Sequence, residues 1–139
     1  MAETSPRYTG GCLCGALRFE AIGEPRFMAH CYCRDCRRAS GSGFVPVMAF
    51  AQANVKLMGE SRAIVTKAIH GGDATRNFCP NCGSLVFGGE RDRSEGINIY
   101  AGSRDDPALF HPTVAIFASR RPDWAPLPPG VQAFDEMPG

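Results

Sequence analysis

The sequence predicts a mainly β fold that is stabilised by zinc and carries short helical turns. The 139 residues include 16 glycines and 11 prolines, a composition that favours a turn-rich chain over long helices. Apolar and polar residues alternate in short segments, as they do in strands that bury one face. Seven cysteines lie in closely spaced groups beside these segments, and such groups are typical of zinc sites.

The strand pattern begins after the first cysteine pair and recurs along the chain. Alternating or aliphatic runs bounded by glycine, proline and polar turn residues indicate strands. The predicted strand segments are residues 16–23, 26–31, 44–50, 55–59, 63–67, 75–78, 84–87, 97–100 and 113–117. Pro46 cannot donate a hydrogen bond to a neighbouring strand, so the segment 44–50 is predicted to be either a buried strand or an edge strand.

Helical structure is predicted in only two short places. Residues 34–39 allow one helical turn, and residues 105–110 favour another because an aspartate cap and an early proline open the segment. The final segment, residues 122–139, holds five of the eleven prolines and is predicted to wrap the surface without forming an element. We expect one zinc-binding β domain over residues 1–139.

Charge and hydropathy exclude several classes of partner. The formal net charge is +1, which favours neither nucleic acid nor an anionic membrane surface as a partner. The longest apolar stretch, residues 44–51, is too short to cross a bilayer, and the first eleven residues lack the apolar core of a signal peptide. These features predict a cytoplasmic protein with a small-molecule partner.

Four of the cysteines form two pairs that predict one closed zinc site. Cys79 and Cys82 have two residues between them, which lets both sulfurs reach one tetrahedral ion at about 2.3 Å. Cys12 and Cys14 share one face if their segment is extended, so they can supply the other half of the site. Two alternatives are a pair of buried apolar cysteines at 12 and 14, and a redox pair at 79 and 82. An odd number of cysteines in the reducing cytosol argues against disulfides.

The other three cysteines, Cys31, Cys33 and Cys36, predict an open zinc site that performs the chemistry. Three sulfurs around one ion leave the fourth position for water or substrate, as in catalytic zinc sites. The alternative is that a histidine completes this site. The candidates are His30, His70 and His111. The side chain of His30 should point away from that of the adjacent Cys31 if this segment is extended.

Basic and small polar residues next to this cluster predict a substrate site for a carboxylate. The candidates are Arg34, Arg38, Ser40 and Gly41, because guanidinium groups bind carboxylates in a bidentate manner and loop amides add donors. Arg37 lies in the same turn. The alternative is a solvated basic turn without a ligand.

The sequence resembles the glutathione-dependent formaldehyde-activating enzyme family, which also includes centromere protein V. The resemblance rests on residues 11–15, 31–41 and 78–83, which carry the three cysteine motifs in order. It implies a scaffold of antiparallel sheets with two zinc ions. A structural ion would be held by Cys12, Cys14, Cys79 and Cys82, and a second ion by Cys31, Cys33 and Cys36. The family activity is the condensation of glutathione with formaldehyde, classed as a carbon–sulfur lyase reaction.

The leading functional prediction is therefore a zinc-dependent carbon–sulfur lyase that joins a small thiol, such as glutathione, to a small aldehyde. His30, Asp35 or His70 can be considered as proton relays. The alternative is a noncatalytic zinc-stabilised β module, with Trp124 and the proline-rich tail as its contact surface. A redox or metal-storage role is less favoured, because glycine-flanked turns fit metal sites better than reactive dithiols.

Overall fold

The short alternating segments do form strands. The computed structural model describes residues 5–68 and 71–137, apart from the side chain of Leu109. The strands are β1 (Arg7–Gly11), β2 (Arg18–Ile22), β3 (Phe27–Cys31), β4 (Val45–Ala51), β5 (Val55–Met58), β6 (Arg62–Lys67), β7 (Asp73–Phe78), β8 (Leu85–Gly88), β9 (Gly96–Tyr100), β10 (Val114–Ile116) and β11 (Gln132–Ala133). One α-helix, α1 (Arg34–Ser40), follows β3 in these residues. Short 3₁₀ turns cover Gln52–Asn54, Ala101–Ser103, Pro107–Leu109 and Ala118–Arg120.

The strands form two sheets. The smaller sheet has the order β1-β2-β5, and the larger has the order β11-β10-β3-β4-β9-β8-β7-β6. Neighbouring strands are antiparallel except that β10 runs parallel to both β3 and β11. The prediction of a mainly β fold is confirmed, and the two parallel pairings are the departure from purely antiparallel sheets.

Alternate residues of both sheets fill one hydrophobic core. In β9, Ile97 and Ile99 are buried while Asn98 between them is exposed, as expected for a strand with one buried face. Phe19 from the smaller sheet packs in the same cluster as Phe50 from the larger sheet. The two sheets are therefore joined through apolar contacts.

Strand β4 resolves the two possibilities left open by Pro46. The strand lies between β3 and β9, so it is a central strand. Pro46 is opposite His30 on β3, whereas the pairing of β4 with β9 begins one residue later, at Val47 opposite Tyr100. Pro46 thus occupies a position where β4 has one neighbour, which is where a sheet tolerates a proline.

The predicted helical turn is longer than expected. Helix α1 has seven residues and extends one residue beyond the predicted range of 34–39, to Ser40. It ends at Gly41, whose φ of 73° lies in the left-handed region and whose amide donates to the carbonyl of Arg37 at 2.9 Å. The 3₁₀ turn Pro107–Leu109 confirms the second helical prediction, and Asp106 caps it by accepting from the amide of Ala108.

The tail does form an element, which corrects the expectation for residues 122–139. Strand β11 pairs in parallel with β10, and the amide of Phe134 donates to the carbonyl of Ala115 at 2.8 Å. The proline-rich segment before β11 reduces the sequence signal for this two-residue strand. None of the helices in the described residues is long and apolar enough to cross a lipid bilayer.

Candidate metal centres

The first cysteine cluster joins two segments that are far apart in the chain. Cys12 and Cys14 follow β1, and Cys79 and Cys82 lie between β7 and β8. The four sulfurs all lie within 4.8 Å of one another. The Cys12–Cys14 and Cys14–Cys79 sulfurs are 3.6 and 3.7 Å apart. Zinc–sulfur bonds of about 2.3 Å in a tetrahedron require about 3.8 Å between sulfurs, so these thiols fit a zinc ion.

Both turns of this cluster end in a glycine with a left-handed conformation. Gly15 and Gly83 have φ values of 84° and 78°. The amide of Gly83 donates to the carbonyl of Cys79 at 2.8 Å, which closes the turn that holds Cys79 and Cys82. A side chain at this φ would strain the turn, so glycine allows the two sulfurs to converge.

Polar groups around the first cluster donate to its sulfurs. The amide nitrogen of the Asn81 side chain lies 3.2 Å from the sulfur of Cys14, and the hydroxyl of Ser84 lies 3.2 Å from that of Cys82. Hydrogen bonds from the hydroxyl and the backbone of Ser84 lower the pKa of Cys82. Such donors stabilise thiolates, the form that binds a metal.

The second cluster is local in sequence. Cys31 ends β3, Cys33 caps the N-terminus of α1, and Cys36 lies in the helix. The three sulfurs lie within 4.8 Å of one another, and those of Cys31 and Cys36 are 3.2 Å apart. The sulfur of Cys33 accepts a hydrogen bond from the amide of Cys36 at 3.2 Å. Hydrogen bonds from the thiols of Cys31 and Cys36 hold the pKa of Cys33 far below its usual range.

No histidine in the described residues joins this second cluster. The ring of His30 stacks on Phe44 with 4.1 Å between centroids, and its Nδ1 lies 3.3 Å from the hydroxyl of Tyr32. Its side chain thus packs among aromatic rings, and burial lowers its pKa. His111 is exposed and belongs to neither cysteine cluster. His70 lies outside the described residues.

A cleft of about 750 Å³ lies between the two cysteine clusters. Cys12 of the first cluster and Cys36 of the second both line it. Its polar wall includes four serines, Ser40, Ser42, Ser84 and Ser103. The cleft thus brings both candidate metal centres to one space that can hold a small molecule.

A second cleft, of about 400 Å³, lies on another side of the three-cysteine cluster. Cys31, Cys33 and Cys36 all line it. The two clefts share three lining residues, which are Cys36, Arg76 and Tyr100. The three-cysteine cluster is therefore accessible from two directions.

Arg76 and Tyr100 reach this junction from two different strands of the larger sheet, β7 and β9. In the strand order, β7 lies four strands away from β3. Arg76 of β7 and Cys31 of β3 nevertheless line the same cleft. Burial raises the pKa of Tyr100 to about 12, against the opposing effect of the Arg76 cation.

The structure places the sequence-predicted substrate residues unequally. Ser40 lines the larger cleft, and its hydroxyl donates to the carbonyl of Cys36 at 2.8 Å. Gly41 caps the helix and is exposed. Arg34 is exposed and hydrogen-bonds its neighbour Asp35 at 3.2 Å. In the described part of the chain, neither Arg34 nor Arg38 lines either of these two clefts.

Sequence reasoning missed both Arg76 and Tyr100. Each lies in a segment correctly predicted as a strand, but neither belongs to a motif of the kind that marks the cysteines. The one available signal is that Arg76 is a cation three residues before Cys79. That spacing does not indicate which cluster the side chain approaches.

Comparisons with known proteins identify a matching family model and several similar proteins. The family model described as glutathione-dependent formaldehyde-activating enzyme matches residues 7–120. An uncharacterized lyase of Schizosaccharomyces pombe is 35% identical over 82 residues, which cover 59% of this chain and 57% of that protein. This alignment spans just over half of the relative's length.

Two further similarities cover more of the chain. A Halomonas elongata protein is 27% identical over 124 residues, covering 85% of this chain and 79% of the relative. Its name assigns it provisionally to the glutathione-dependent formaldehyde-activating enzymes. A crystal structure of a Rhodobacter sphaeroides protein matches with a TM-score of 0.51 and 19% identity, covering 72% of this chain and 92% of that chain. This structural match supports the fold alone.

The family model extends over most of the chain and includes all seven cysteines of the two clusters. The suspected family is thereby confirmed. This chain belongs to the glutathione-dependent formaldehyde-activating enzyme family.

Proposed function

We propose that this chain adds a small thiol, such as glutathione, to a small aldehyde, such as formaldehyde, at the cluster of Cys31, Cys33 and Cys36. This carbon–sulfur lyase type of activity agrees with the family description, glutathione-dependent formaldehyde-activating enzyme, and with the name of the S. pombe relative, which calls it a lyase. The observation that carries the proposal is the position of the cluster between two clefts. A thiol and an aldehyde can approach such a site from different sides.

The three-cysteine cluster fits a zinc ion that keeps one position open. Three thiols with sulfurs within 4.8 Å of one another match the donor set of such a site, and no fourth ligand accompanies them in the described residues. When bound there, zinc would supply Lewis acidity, which favours the deprotonated form of a thiol at neutral pH and polarises a carbonyl group.

Tyr100 supplies a proton donor at the junction of the clefts. A Cβ atom at Gly88 would lie 3.4 Å from the Tyr100 hydroxyl, so this hydroxyl faces the smaller cleft, which Gly88 also lines. Burial raises the pKa of Tyr100 to about 12, and the phenol therefore keeps its proton at neutral pH. Its hydroxyl can donate to an aldehyde oxygen as negative charge develops there.

The addition balances without an oxidant or a reductant. One bond forms between the thiol sulfur and the aldehyde carbon, and the π electrons of the carbonyl move to its oxygen. The proton lost by the thiol ends on that oxygen, with the Tyr100 hydroxyl holding a hydrogen bond to it meanwhile. The product is a hydroxymethyl thioether, and the reverse reaction breaks the carbon–sulfur bond.

The test is formation of the thiol–aldehyde adduct, measured by NMR with zinc-loaded protein, glutathione and formaldehyde. We expect the parent protein to accelerate adduct formation and Cys33→Ser to abolish the acceleration while remaining folded. The exposed change Asp123→Asn is the control and should behave like the parent. If the parent does not accelerate adduct formation with any thiol and aldehyde pair, the catalytic proposal fails and the noncatalytic module becomes the better account.

A further inference from the structure

We propose that Arg76, at the junction of the two clefts, binds the carboxylate of a thiol that lies in the larger cleft. Arg76 would thereby make the site selective for acidic thiols over neutral ones. This inference rests on the proposed function and names the class of thiol that the site takes. It also transfers the carboxylate contact from the helix arginines, which the sequence suggested, to Arg76 on strand β7.

Arg76 has the position that such a contact requires. It is half-buried, lines both clefts and interacts electrostatically with Cys36 of the three-cysteine cluster. Among the described residues it pairs with no carboxylate. Its Nη1 donates to the hydroxyl of Thr66 on β6 at 3.2 Å, which holds the side chain while leaving other guanidinium donors available.

The charges that line the two clefts differ. Among the described residues, Arg76 is the only cation that lines the larger cleft, and no aspartate or glutamate lines it. The smaller cleft contains Asp35, Asp73 and Glu90 in addition to Arg76. An anionic thiol is therefore favoured in the larger cleft, whereas a small uncharged aldehyde can enter the smaller one without a charge penalty.

The wall of the larger cleft offers further donors. Ser42 is exposed in the segment that follows α1, and it lines the same cleft as Arg76. A guanidinium group binds a carboxylate through two parallel hydrogen bonds, and hydroxyls nearby can satisfy the remaining lone pairs. A carboxylate at Arg76 would place the rest of a short thiol within reach of Cys36.

The helix arginines are poorer candidates for this contact. The Arg34 guanidinium already donates to Asp35, and more than half of its side-chain surface is exposed. Arg38 is exposed and lines neither of the two clefts. Charged groups that remain in water contribute little to binding, since solvent screens them.

The experiment is calorimetric titration with two probes, glutathione and glutathione diethyl ester, which lacks both carboxylates. The proteins are the zinc-loaded parent, Arg76→Gln, Arg76→Lys and Thr66→Val. The control Arg62→Gln removes the same charge from an exposed position on β6, the neighbouring strand. Arg38→Gln tests the position suggested by the sequence. Zinc content and the melting curve are measured for every variant.

We expect the parent to bind glutathione more tightly than the ester. Arg76→Gln should weaken glutathione binding by about 10- to 100-fold, the range for a hydrogen bond to a charged group, and leave ester binding unchanged. Arg76→Lys should retain part of the preference for glutathione over the ester, because lysine keeps the positive charge but cannot form the two parallel hydrogen bonds of a guanidinium group. Thr66→Val should give an intermediate loss, while Arg62→Gln and Arg38→Gln should match the parent.

The inference is overturned if the parent binds both probes equally, or if Arg76→Gln binds glutathione like the parent. Should Arg76→Gln fail to fold, Arg76→Lys and Thr66→Val decide, and unchanged glutathione binding in both rejects the inference. The adduct assay separates this outcome from failure of the proposed function. Selective binding through Arg76 without adduct formation would reject the catalytic proposal alone, whereas adduct formation that is indifferent to Arg76 would reject this inference alone.

Discussion

The two cysteine clusters use the same ligand chemistry for different structural purposes. In the first, Cys14 and Cys79 are separated by 65 positions, and the cluster connects the end of β1 with the turn between β7 and β8. In the second, Cys31 and Cys36 are five positions apart and belong to one strand–helix junction. The first cluster offers four sulfurs and the second three. The comparison shows that one cluster can join the two sheets while the other remains available for a ligand.

The largest effect is expected from breaking the four-cysteine cluster. Cys79→Ser should prevent cooperative folding, because a structural zinc site contributes about 10–16 kcal/mol in small zinc peptides and a domain is stable by only about 5–15 kcal/mol. Thermal unfolding monitored by circular dichroism tests whether Cys79→Ser still folds cooperatively, and zinc analysis gives its metal content. A Cys79→Ser protein that melts cooperatively with full zinc content would contradict the structural role of the cluster.

The same substitution in the three-cysteine cluster should leave the protein folded. Cys33→Ser is expected to lower zinc content by about one ion per chain and to remove adduct formation, because this local loop closes little chain. Its melting curve should stay cooperative and close to that of the parent. Aggregation or loss of the cooperative transition would show that both clusters are structural, and the comparison would fail.

A third prediction concerns the junction beside the open cluster. Tyr100→Phe should lower kcat for adduct formation by about 10²-fold, because it removes a donor to the developing oxyanion. Zinc content and melting should not change. Tyr8→Phe is the matched control, since Tyr8 is a buried phenol in the smaller sheet that lines neither cleft. Equal losses of kcat in the two variants, or none in Tyr100→Phe, would reject this role.

The smallest effect is expected from the ion pair of Arg18 and Asp105, which connects β2 with the segment that follows β9 without a metal. The Arg18 guanidinium on β2 donates to Asp105 and, together with the hydroxyl of Thr9, lowers the pKa of that carboxyl to about 2. A lowered pKa stabilises the fold above the unfolded value of 3.8, and this contribution is lost as pH falls toward about 2. Asp105→Asn should therefore lower the melting temperature slightly and equally at pH 6 and pH 8.

Salt distinguishes this charge pair from the metal sites. Because the Arg18–Asp105 pair is partly exposed, about 0.5 M salt should reduce the effect of Asp105→Asn, and Asp123→Asn should show no effect at either salt concentration. If the decrease in melting temperature caused by Asp105→Asn grows between pH 6 and pH 8, or does not respond to salt, another group is responsible for it.

The sequence predicted the parts of the site that depend on local spacing. The groups Cys31–Cys36 and Cys79–Cys82 are set by turns and one helix cap, so their spacing is sufficient to identify them. Most strands were also predicted, because alternating or aliphatic runs bounded by turn residues mark most of these segments. Strands β1 and β11 were missed, since a glycine-rich end and a proline-rich tail hide the pattern.

The rest of the site depends on contacts between distant strands. Arg76 lies on β7, four strands away from β3 in the larger sheet, yet it lines a cleft together with the three cysteines, and no local pattern in the sequence encodes that proximity. Sequence reasoning favoured Arg34 and Arg38 instead, because they are neighbours of the cysteines in the chain. Their assignment as substrate residues stays a prediction, which the titrations above compare directly with Arg76.

The most direct test of the unequal clusters is the stepwise removal of zinc by a chelator, with the fold and adduct formation followed in parallel. We predict two zinc ions per chain, of which one leaves first. Its loss should abolish adduct formation while circular dichroism stays unchanged, and added glutathione should slow this first step. The second ion should leave only with the cooperative loss of structure. Release of both ions at one rate, or unfolding with the first ion lost, would contradict the account.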